Sequence, residues 1–531
     1  MGMYVSPGVY TKELDLSTLV SSLSTTIGAI VGASAKGDAS QVKLVTNTQE
    51  FINEYGEPAT DNYFHYSALA FLENGNQLYC LRVVNTDAYY GGVKIKTSVS
   101  AQANAAIASG ATTNEFVQIT GEDNLFYVYG ANQGAWNNSI GVRITNISET
   151  AYTFTIEVYY LDSNGTYQKV ESWNVSREHR VDGFGNQLYL EDVINGYSDY
   201  ISVADSGDLY AYTILPKAQA TTLAMATGAD GTDATESQIA TGWDEFANPD
   251  DVDVRILIGA GHGLTVQAAM KTIAEDRKDC IALFDVPLAE TSDVTSTTTW
   301  RTTTQNYNSS YCALYSPWVK IYDQYNGVIV TVPPSGYVAS QMAYNDYVAN
   351  VWSAPAGMNR GLMNVLSVTP VYTQGNRDTL YTAGVNPLQT FRGAGNVIWG
   401  QKTEQTTDSA LNRINVRRLL ITLEKSISAT LQYFVFELNN EATRFRIVGA
   451  LEQYLDQLSA GGAFETSTTD TKGYSIVCDE TNNTPATIDR NEMHVDVFVK
   501  PVRVAEFIQL QVIITPTAAS FTELVARGVN L

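Results

Sequence analysis

Basic residues are scarce in this sequence, and long apolar runs are missing. The 531 residues include 32 Lys and Arg against 56 Asp and Glu, so the formal net charge is −24. Because no long basic run could neutralise a row of phosphates, we expect no direct nucleic-acid partner. No stretch of about 18 apolar residues predicts a membrane span, and Met1 to Gly8 lack the apolar core of a signal peptide. We therefore expect a protein that is made and matures in a cytosol, without membrane insertion.

Cysteine and histidine are also few. The four cysteines stand singly and without a C-x-x-C pair, which predicts reduced and mostly buried thiols. The four histidines are far from one another and from the cysteines, so the ligand spacing of a zinc site is missing. We expect no metal and no cofactor. These residues are Cys80, Cys280, Cys312, Cys478, His65, His179, His262 and His494.

Apolar residues are present in sufficient number for a large core. They occupy 44% of positions, against 17% charged ones, which is typical of a folded chain with several domains. Strands alternate with helical patterns in 26–84 and again in 252–286, which predicts a parallel sheet. Between them, 91–215 is rich in Tyr and Asn, and Phe154, Ile156 and Val158 alternate with polar residues. That alternation predicts a β-rich domain.

The last third of the chain has a different pattern. Apolar residues recur at helical spacing from Val416 to Phe434, and again from Phe445 to Leu458, which predicts two amphipathic helices. The Thr/Ser-rich stretch 291–304 predicts a mobile surface loop. A terminal strand is predicted by the apolar alternation of Ile508, Leu510, Val512 and Ile514.

Two motifs of catalytic chemistry are incomplete. In the glycine-rich run 259–263, Leu264 stands where a dinucleotide-binding loop needs its third glycine, so a tight turn is predicted. Ser335 is a candidate nucleophile with His262 as its base, but no G-x-S-x-G elbow surrounds it. The acid would be one of Asp276, Asp279 and Asp285. A hydrolase is the alternative from a different class.

A locally basic block interrupts the acidic chain at Arg413, Arg417, Arg418 and Lys425. One interpretation is a solvated helix face. The other is a patch aimed at an acidic protein surface, where charge complementarity sets register and encounter rate. The residues alone leave both open.

Short motifs occur in a specific order along the chain. The N-terminus carries Ser6-Pro7-Gly8-Val9-Tyr10, and Gly134 to Asn138 contains a Gly-Ala-Trp-Asn-Asn run. Later come Asn415-Val416-Arg417-Arg418-Leu419 and Phe436-Glu437-Leu438-Asn439. Together they resemble motifs of the contractile tail sheath proteins of large contractile-tailed (myovirus) bacteriophages. Asn137 replaces a glycine of the family's Gly-x-Trp-Gly-Asn element, and Leu438 replaces the proline of its F-E-P-N signature.

The resemblance implies an α/β multidomain fold. It comprises a subtilisin-like α/β domain, a β-rich inserted domain and an α+β C-terminal assembly domain with terminal strand-exchange arms. The implied segments are an N-terminal arm at 1–20, an α/β part packing with the C-terminal domain at 21–90, a β-rich outer domain at 91–215, a subtilisin-like domain at 216–405, a tube-facing assembly domain with the closing strand at 406–515, and a tail at 516–531.

The resemblance also implies a structural function rather than an enzymatic one. Such subunits polymerise as hexameric rings around a tail tube and contract to drive the tube through the host envelope for genome delivery. The expected partners are further copies of the chain, the tube protein, and the baseplate and tail terminator proteins. The protein would be part of the virion and assemble in the host bacterial cytoplasm. A sheath of a phage-derived contractile injection or secretion system is the alternative.

Two sets of residues would carry assembly on this resemblance. Arg413, Arg417, Arg418 and Lys425 would face the tube. The arms would add strands to neighbouring subunits, because a short strand with a proline and a long alternating strand suit an open sheet edge better than a closed core. The arm residues are Val5, Ser6, Pro7, Gly8, Val9, Tyr10, Ile508, Leu510, Val512 and Ile514.

Overall fold

The computed structural model describes residues 26–107, 123–162 and 164–510. The N-terminal arm with Val5 to Tyr10, the strand residues Val512 and Ile514, and the tail 516–531 lie outside the described residues.

The described strands are, in chain order, β1 Ile27–Gly32, β2 Lys43–Val45, β3 Gln77–Arg82, β4 Gly92–Lys96, β5 Ala105–Ala106, β6 Asn124–Gly130, β7 Ile140–Ser148, β8 Thr153–Leu161, β9 Tyr167–Ser176, β10 Ile201–Asp205, β11 Leu223–Ala224, β12 Ile256–Ile258, β13 Ile281–Asp285, β14 Cys312–Ser316, β15 Trp318–Asp323, β16 Val328–Val332, β17 Leu362–Met363, β18 Ser367–Thr369, β19 Val385–Phe391, β20 Gly395–Ile398, β21 Tyr474–Val477 and β22 Asp496–Val499.

The described α-helices are α1 Thr48–Tyr55, α2 Tyr63–Leu72, α3 Leu190–Ile194, α4 Glu236–Gly242, α5 Leu264–Arg277, α6 Val294–Thr299, α7 Ser335–Val348, α8 Gln374–Thr382, α9 Ile414–Leu431, α10 Glu441–Ala460 and α11 Pro485–Asp489. Among them, none is long and apolar enough to cross a membrane.

A nine-stranded sheet forms the centre of the molecule, in the order β17-β20-β19-β14-β13-β12-β1-β3-β2. Its middle strands, from β19 to β3, run parallel. Successive residues of β1 point to opposite faces: Ile30 joins one buried apolar cluster, and Ala29 and Val31 join another. Because helices cover both faces, these strands are apolar throughout, as in other parallel sheets.

The N-terminal α/β part belongs to this sheet. From the sequence we expect 21–90 to pack with the C-terminal domain. Instead, β1 lies between β3 and β12, with Ala29 opposite Leu257 in parallel register. The described part of this segment thus completes the central sheet, because the fully apolar β1 needs neighbours on both edges and cover on both faces.

The alternation in 91–215 correctly predicts strands, but the β-rich domain extends beyond residue 215, because β11 pairs with β7 and Met225 belongs to its core. Two four-stranded antiparallel sheets, β10-β6-β4-β5 and β11-β7-β8-β9, enclose one apolar core. Phe126 and Phe154 stack across it with ring centroids 5.5 Å apart. The buried Asn137 accepts from the backbone N–H of Gly91 at 2.8 Å and donates to the Asn132 carbonyl at 2.9 Å. Its side chain thereby closes the loop in which the sheath motif has a glycine.

The prediction of a mobile loop at 291–304 is wrong. This stretch forms α6 and a following π-helix, Trp300–Gln305. Asp293 caps α6 by accepting from the backbone N–H of Ser296 at 2.9 Å, and the Thr302 hydroxyl donates to the Thr298 carbonyl at 2.8 Å. Threonine hydroxyls that bond back to helix carbonyls make a polar sequence compatible with a helix, and burial of Trp300 fixes it on the sheet.

The two C-terminal amphipathic helices are confirmed as α9 and α10. Leu419 and Leu423 of α9 pack against Leu455 of α10 and against Phe464. The two-stranded antiparallel sheet of β21 and β22 packs on the same cluster. Of the predicted terminal strand, Ile508 and Leu510 are described, and the structure assigns them to no strand. The four cysteines are free and buried, as predicted.

The β-rich domain is joined to the central sheet through Arg82, at the end of β3. Its guanidinium donates to the carbonyls of Ser34, Gly37 and Gln133, each at 2.8 Å, and to that of Ala35 at 3.2 Å. Burial lowers the pKa of Arg82 to about 10. Since Gln133 belongs to the β-rich domain, one buried side chain ties the two domains together.

We predict that Arg82→Ala lowers the free energy of unfolding by about 3 kcal/mol, because it removes the donor of the buried bonds to the Ser34 and Gly37 carbonyls. The measurement is urea unfolding followed by circular dichroism. Arg490→Ala, which removes an exposed pair with Glu492, is the control and should change stability by less than about 0.5 kcal/mol. Equal losses of stability in both variants would contradict the role of Arg82 in joining the two domains.

Candidate functional site

The candidate site comprises helix α9 and the last described residues of the chain, which lie beside it. The central domain reaches α9 through the buried segment Gln401 to Glu404, and the last described residues run past the start of α9. All four basic residues predicted to face a tube lie here, at or within α9.

Arg418 forms a buried ion pair with Asp346 of α7. Its Nη1 and Nη2 donate to the two carboxylate oxygens at 2.8 and 2.5 Å. The two side chains are 4% and 3% exposed. A bidentate geometry is the arrangement that offsets the cost of removing both charges from water. The pair therefore joins α9 to the central domain.

Arg417 is buried on an adjacent side of α9. Its Nη2 donates to the Ser310 hydroxyl at 2.8 Å, and its guanidinium lies 4.2 Å from the ring centroid of Tyr311. A guanidinium over an aromatic face is attracted by the ring's electrons, more strongly when water is excluded. Arg417 is thus a second contact between α9 and the central domain.

Lys425 provides a third contact, about two turns further along the helix. Its Nζ lies 2.7 Å from an Asp279 oxygen and 3.4 Å from an Asp253 oxygen. Burial alone would raise the pKa of Asp279, but hydrogen bonds from Arg277 and Lys425 hold it below its usual range. Asp279 is therefore a charged acceptor within the central domain.

Arg413 directly precedes α9 and binds Glu506 in the C-terminal segment. Its Nε and Nη2 donate to the two oxygens of Glu506 at 2.6 and 2.9 Å. The Gln401 amide donates to the same carboxylate at 3.0 Å. Glu506 thus holds the C-terminal segment against both the central domain and the start of α9.

These contacts differ from the exposed patch of basic residues that one interpretation of the sequence predicts. Arg417 and Arg418 are buried, and Arg413 and Lys425 are about a quarter exposed and paired. Their acceptors lie up to 146 residues away in the chain, so the local sequence does not reveal them. Within the described subunit, the four cations join domains instead of facing a partner.

The exposed surface near the site is apolar. Beyond Glu506, Phe507, Ile508 and Leu510 are 83%, 88% and 84% exposed. The loop between α9 and α10 exposes Tyr433, Val435, Phe436 and Leu438, and Phe445 of α10 is exposed beside it. Exposed apolar groups of this size mark interaction surfaces. The sequence motif at Phe436 pointed to this loop only through the resemblance.

The incomplete catalytic motif forms a structural network. Ser335 is fully buried and donates its hydroxyl proton to Asp285 at 2.6 Å, while it accepts from the Ala260 N–H at 3.0 Å. Burial raises the pKa of Asp285 to about 6. His262 faces Glu236 at 3.3 Å instead. The serine hydroxyl thus donates a hydrogen bond to a carboxylate and not to His262, so the predicted pair of nucleophile and base does not form among the described residues. The glycine-rich run forms the predicted tight turn, with Gly261 at φ 76°.

Glu404 is a second buried carboxyl, at the end of the central domain. Its side chain is fully buried, and Arg301 Nε lies 3.6 Å from Oε1. Burial raises the pKa of Glu404 to about 7, although Arg301, Gln305 and Lys271 act in the opposite direction. The carboxyl therefore changes charge near neutral pH in the folded chain.

We predict that Arg418→Ala lowers the free energy of unfolding by roughly 3–5 kcal/mol, because it removes the guanidinium that binds both oxygens of the buried Asp346 carboxylate. Arg446→Ala is the matched control, since Arg446 pairs with Glu437 at the surface and should contribute less than about 0.5 kcal/mol. Thermal unfolding monitored by calorimetry measures both. A loss as small for Arg418→Ala as for the control would show that the pair does not join the domains.

We predict that Glu404→Gln changes how stability depends on pH. The folded pKa is raised from 4.5 to about 7, so the stability linked to protonation is full below pH 4.5 and is lost as pH rises through 7. Relative to the wild type, the variant should gain roughly 2–3 kcal/mol between pH 5 and pH 8. Urea unfolding at both pH values measures this gain, and a difference that does not vary with pH would contradict the assignment.

Two sequence models of protein-family domains match this chain. The sequence model of the phage tail sheath protein central domain matches residues 225–404, and that of the phage tail sheath C-terminal domain matches 406–515. The two matches together cover more than half of the chain.

Curated relatives agree with these matches. The tail sheath protein of Enterobacteria phage T4 is 34% identical over 65% of this chain and 53% of its own length. The tail sheath protein of Vibrio phage KVP40 is 34% identical over 49% of this chain and 41% of its own length. The chain spans about half the length of the curated relatives it matches.

Solved structures share the fold. The contracted sheath complex of an extracellular contractile injection system, PVC, has a TM-score of 0.55 at 18% identity and covers 97% of this chain and 98% of its own. The sheath tail protein Lin1278 from Listeria innocua has a TM-score of 0.57 at 11% identity and covers 86% of this chain and 89% of its own. The mixed α/β architecture with several sheets is thus that of sheath proteins, and the chain belongs to the phage tail sheath family.

Proposed function

We propose that this protein is a structural subunit of a contractile phage tail sheath, which polymerises as hexameric rings around the tail tube and contracts to drive the tube through the host envelope. The observation that carries the proposal is the apolar surface of the last described residues: Phe507, Ile508 and Leu510 follow a folded subunit with more than 80% of their surface exposed. Family membership supplies the kind of assembly in which such a segment is used.

The terminal arms are the proposed links between subunits. The sheet of β21 and β22 has two strands, so each strand presents an edge that another chain can extend. If an arm makes on the order of five backbone hydrogen bonds, each worth about 1 kcal/mol net, it contributes only a few kcal/mol. Many linked arms at high effective concentration would hold a lattice that single contacts could not.

Contraction is proposed to move intact subunits on these links. The contacts of Arg417, Arg418 and Lys425 join α9 to the central domain, and separating them would leave buried charges unpaired. Rigid bodies connected by extended segments can rotate without that loss. In this proposal the tube is contacted by other surfaces than the four basic residues.

The central domain is proposed to have a subtilisin-like architecture without enzymatic activity. Parallel strands with helices on both faces support the architecture. The buried Ser335 hydroxyl donates a hydrogen bond to Asp285, which supports the absence of catalysis. The proposed partners are further copies of the chain, the tube protein, and baseplate and terminator proteins. The proposed location is the virion, after assembly in the host bacterial cytoplasm.

A sheath of a contractile injection system is the second candidate function. It is favoured by the fold match to the PVC sheath complex, at 18% identity. The phage tail is favoured by the higher identity, 34%, to curated phage tail sheath proteins.

We predict that the purified full chain forms hollow cylinders at rising concentration, seen by negative-stain electron microscopy. Chains that lack residues 1–13, or everything after Phe507, should remain folded monomers, because they lack the strands that link neighbours. Circular dichroism checks that the truncated chains fold.

A matched pair of full-length variants separates the apolar face of the arm from its length. Serine at Ile508, Leu510, Val512 and Ile514 should prevent cylinders, while serine at Gln509 and Gln511 on the other face should not. Cylinders formed by either truncated chain would refute the role of that arm.

A further inference from the structure

Glu506 is the last described residue with a substantially buried side chain. Its side chain is 16% exposed, whereas Phe507 directly after it is 83% exposed and Ile508 is 88% exposed. Upstream, the backbone N–H of Val502 bonds to the Ala463 carbonyl at 3.1 Å. The side chains therefore change from mostly buried to mostly exposed between Glu506 and Phe507.

The contacts of Glu506 come from two parts of the molecule. Arg413, at the start of α9, donates to both carboxylate oxygens at 2.6 and 2.9 Å, and Gln401 of the central domain donates to one of them at 3.0 Å. Tyr381 of α8 lies beside them, and burial with the nearby Glu506 carboxylate raises the pKa of its hydroxyl. A protonated hydroxyl at this position can donate to the carboxylate.

The rest of the segment is held loosely. Residues 503–507 form one wall of two cavities, of about 320 and 470 Å³. Asp408 and Asn412 line the first, and Tyr381 and Trp399 line the second. Because open space flanks the segment on both sides, close packing does not fix its course. The charged hydrogen bonds of Glu506 are its strongest attachment.

We infer that Glu506 is the positioning residue of the C-terminal arm: its carboxylate, held by Arg413 and Gln401, sets the point and the direction at which the arm leaves the subunit toward a second copy of this chain. The inference rests on the proposed sheath function for the identity of that partner.

The physical benefit is preorganisation. An arm that leaves from one anchored point loses less conformational freedom when it binds than an arm that is free from Val502 onward. Its effective concentration at the neighbour's sheet edge is set by the short segment beyond the anchor. Since α9 is itself joined to the central domain, the anchor ties the arm to the whole subunit.

The first test measures release of the arm in the unassembled subunit, at a concentration below that at which cylinders form. Trypsin can remove the arm after Arg503 only when the flanking residues detach, so the rate follows the population of the detached state. Glu506→Gln weakens the ion pair and should speed this cleavage roughly tenfold. Mass spectrometry identifies the product that ends at Arg503.

Two variants serve as controls. Glu437→Gln alters a carboxylate that pairs with Arg446 at the surface, 3.1 Å away, and should leave the cleavage rate unchanged. The double variant Arg413→Gln with Glu506→Gln should be cleaved no faster than Glu506→Gln alone, because the single variant has already lost the ion pair. A rate in Glu506→Gln equal to that of the wild type would overturn the inference, as would a further acceleration in the double variant while the chain remains folded.

The second test measures assembly. Glu506→Gln should raise the concentration at which cylinders form by several-fold, because the arm must be ordered during binding. Assembly at the wild-type concentration, despite faster cleavage, would overturn the positioning role. If the wild type forms no cylinders while cleavage still depends on Glu506, the proposed function fails and the anchor stands.

Discussion

The buried ion pair of Arg418 and Asp346 is the constraint on which the rest of the site depends. Two charges with almost no solvent exposure are tolerated only while they remain paired, since either charge alone would be strongly destabilising. Arg417 adds a contact on the same turn of α9, and Lys425 adds one about two turns further along. Helix α9 is therefore fixed on the central domain, and α10 and the small sheet of β21 and β22 follow because they share its apolar cluster.

This constraint decides which parts of the subunit can act in assembly. Residues that join α9 to the sheet are already engaged, whereas apolar side chains are exposed at 507–510 and in the loop around Phe436. Arg413 links the two regions, because it stands at the start of α9 and holds Glu506. In the proposed sheath, force would therefore pass through the joined domains.

The differences between prediction and structure have one physical origin. The basic block of α9 was correctly placed on a helix, but its acceptors at Ser310, Asp346 and Glu506 are remote in sequence, and a charge in isolation is typical of a solvent-exposed residue. The threonine-rich stretch 291–304 lacks apolar periodicity, yet hydroxyl bonds to helix carbonyls and the burial of Trp300 hold it as a helix. In both cases tertiary contacts outweighed the local pattern.

The sequence by itself determined the amphipathic helices α9 and α10, the alternating strands of the β-rich domain, the tight turn at 259–263 and the family resemblance. These depend on residues a few positions apart, where the backbone period sets which side chains share a face. Only the tertiary structure decided that β1 lies inside the central sheet, that the Ser335 hydroxyl donates a hydrogen bond to Asp285, and that Glu506 forms an ion pair with Arg413. Such contacts join residues far apart in the chain, and chain folding, rather than local spacing, brings them within bonding distance.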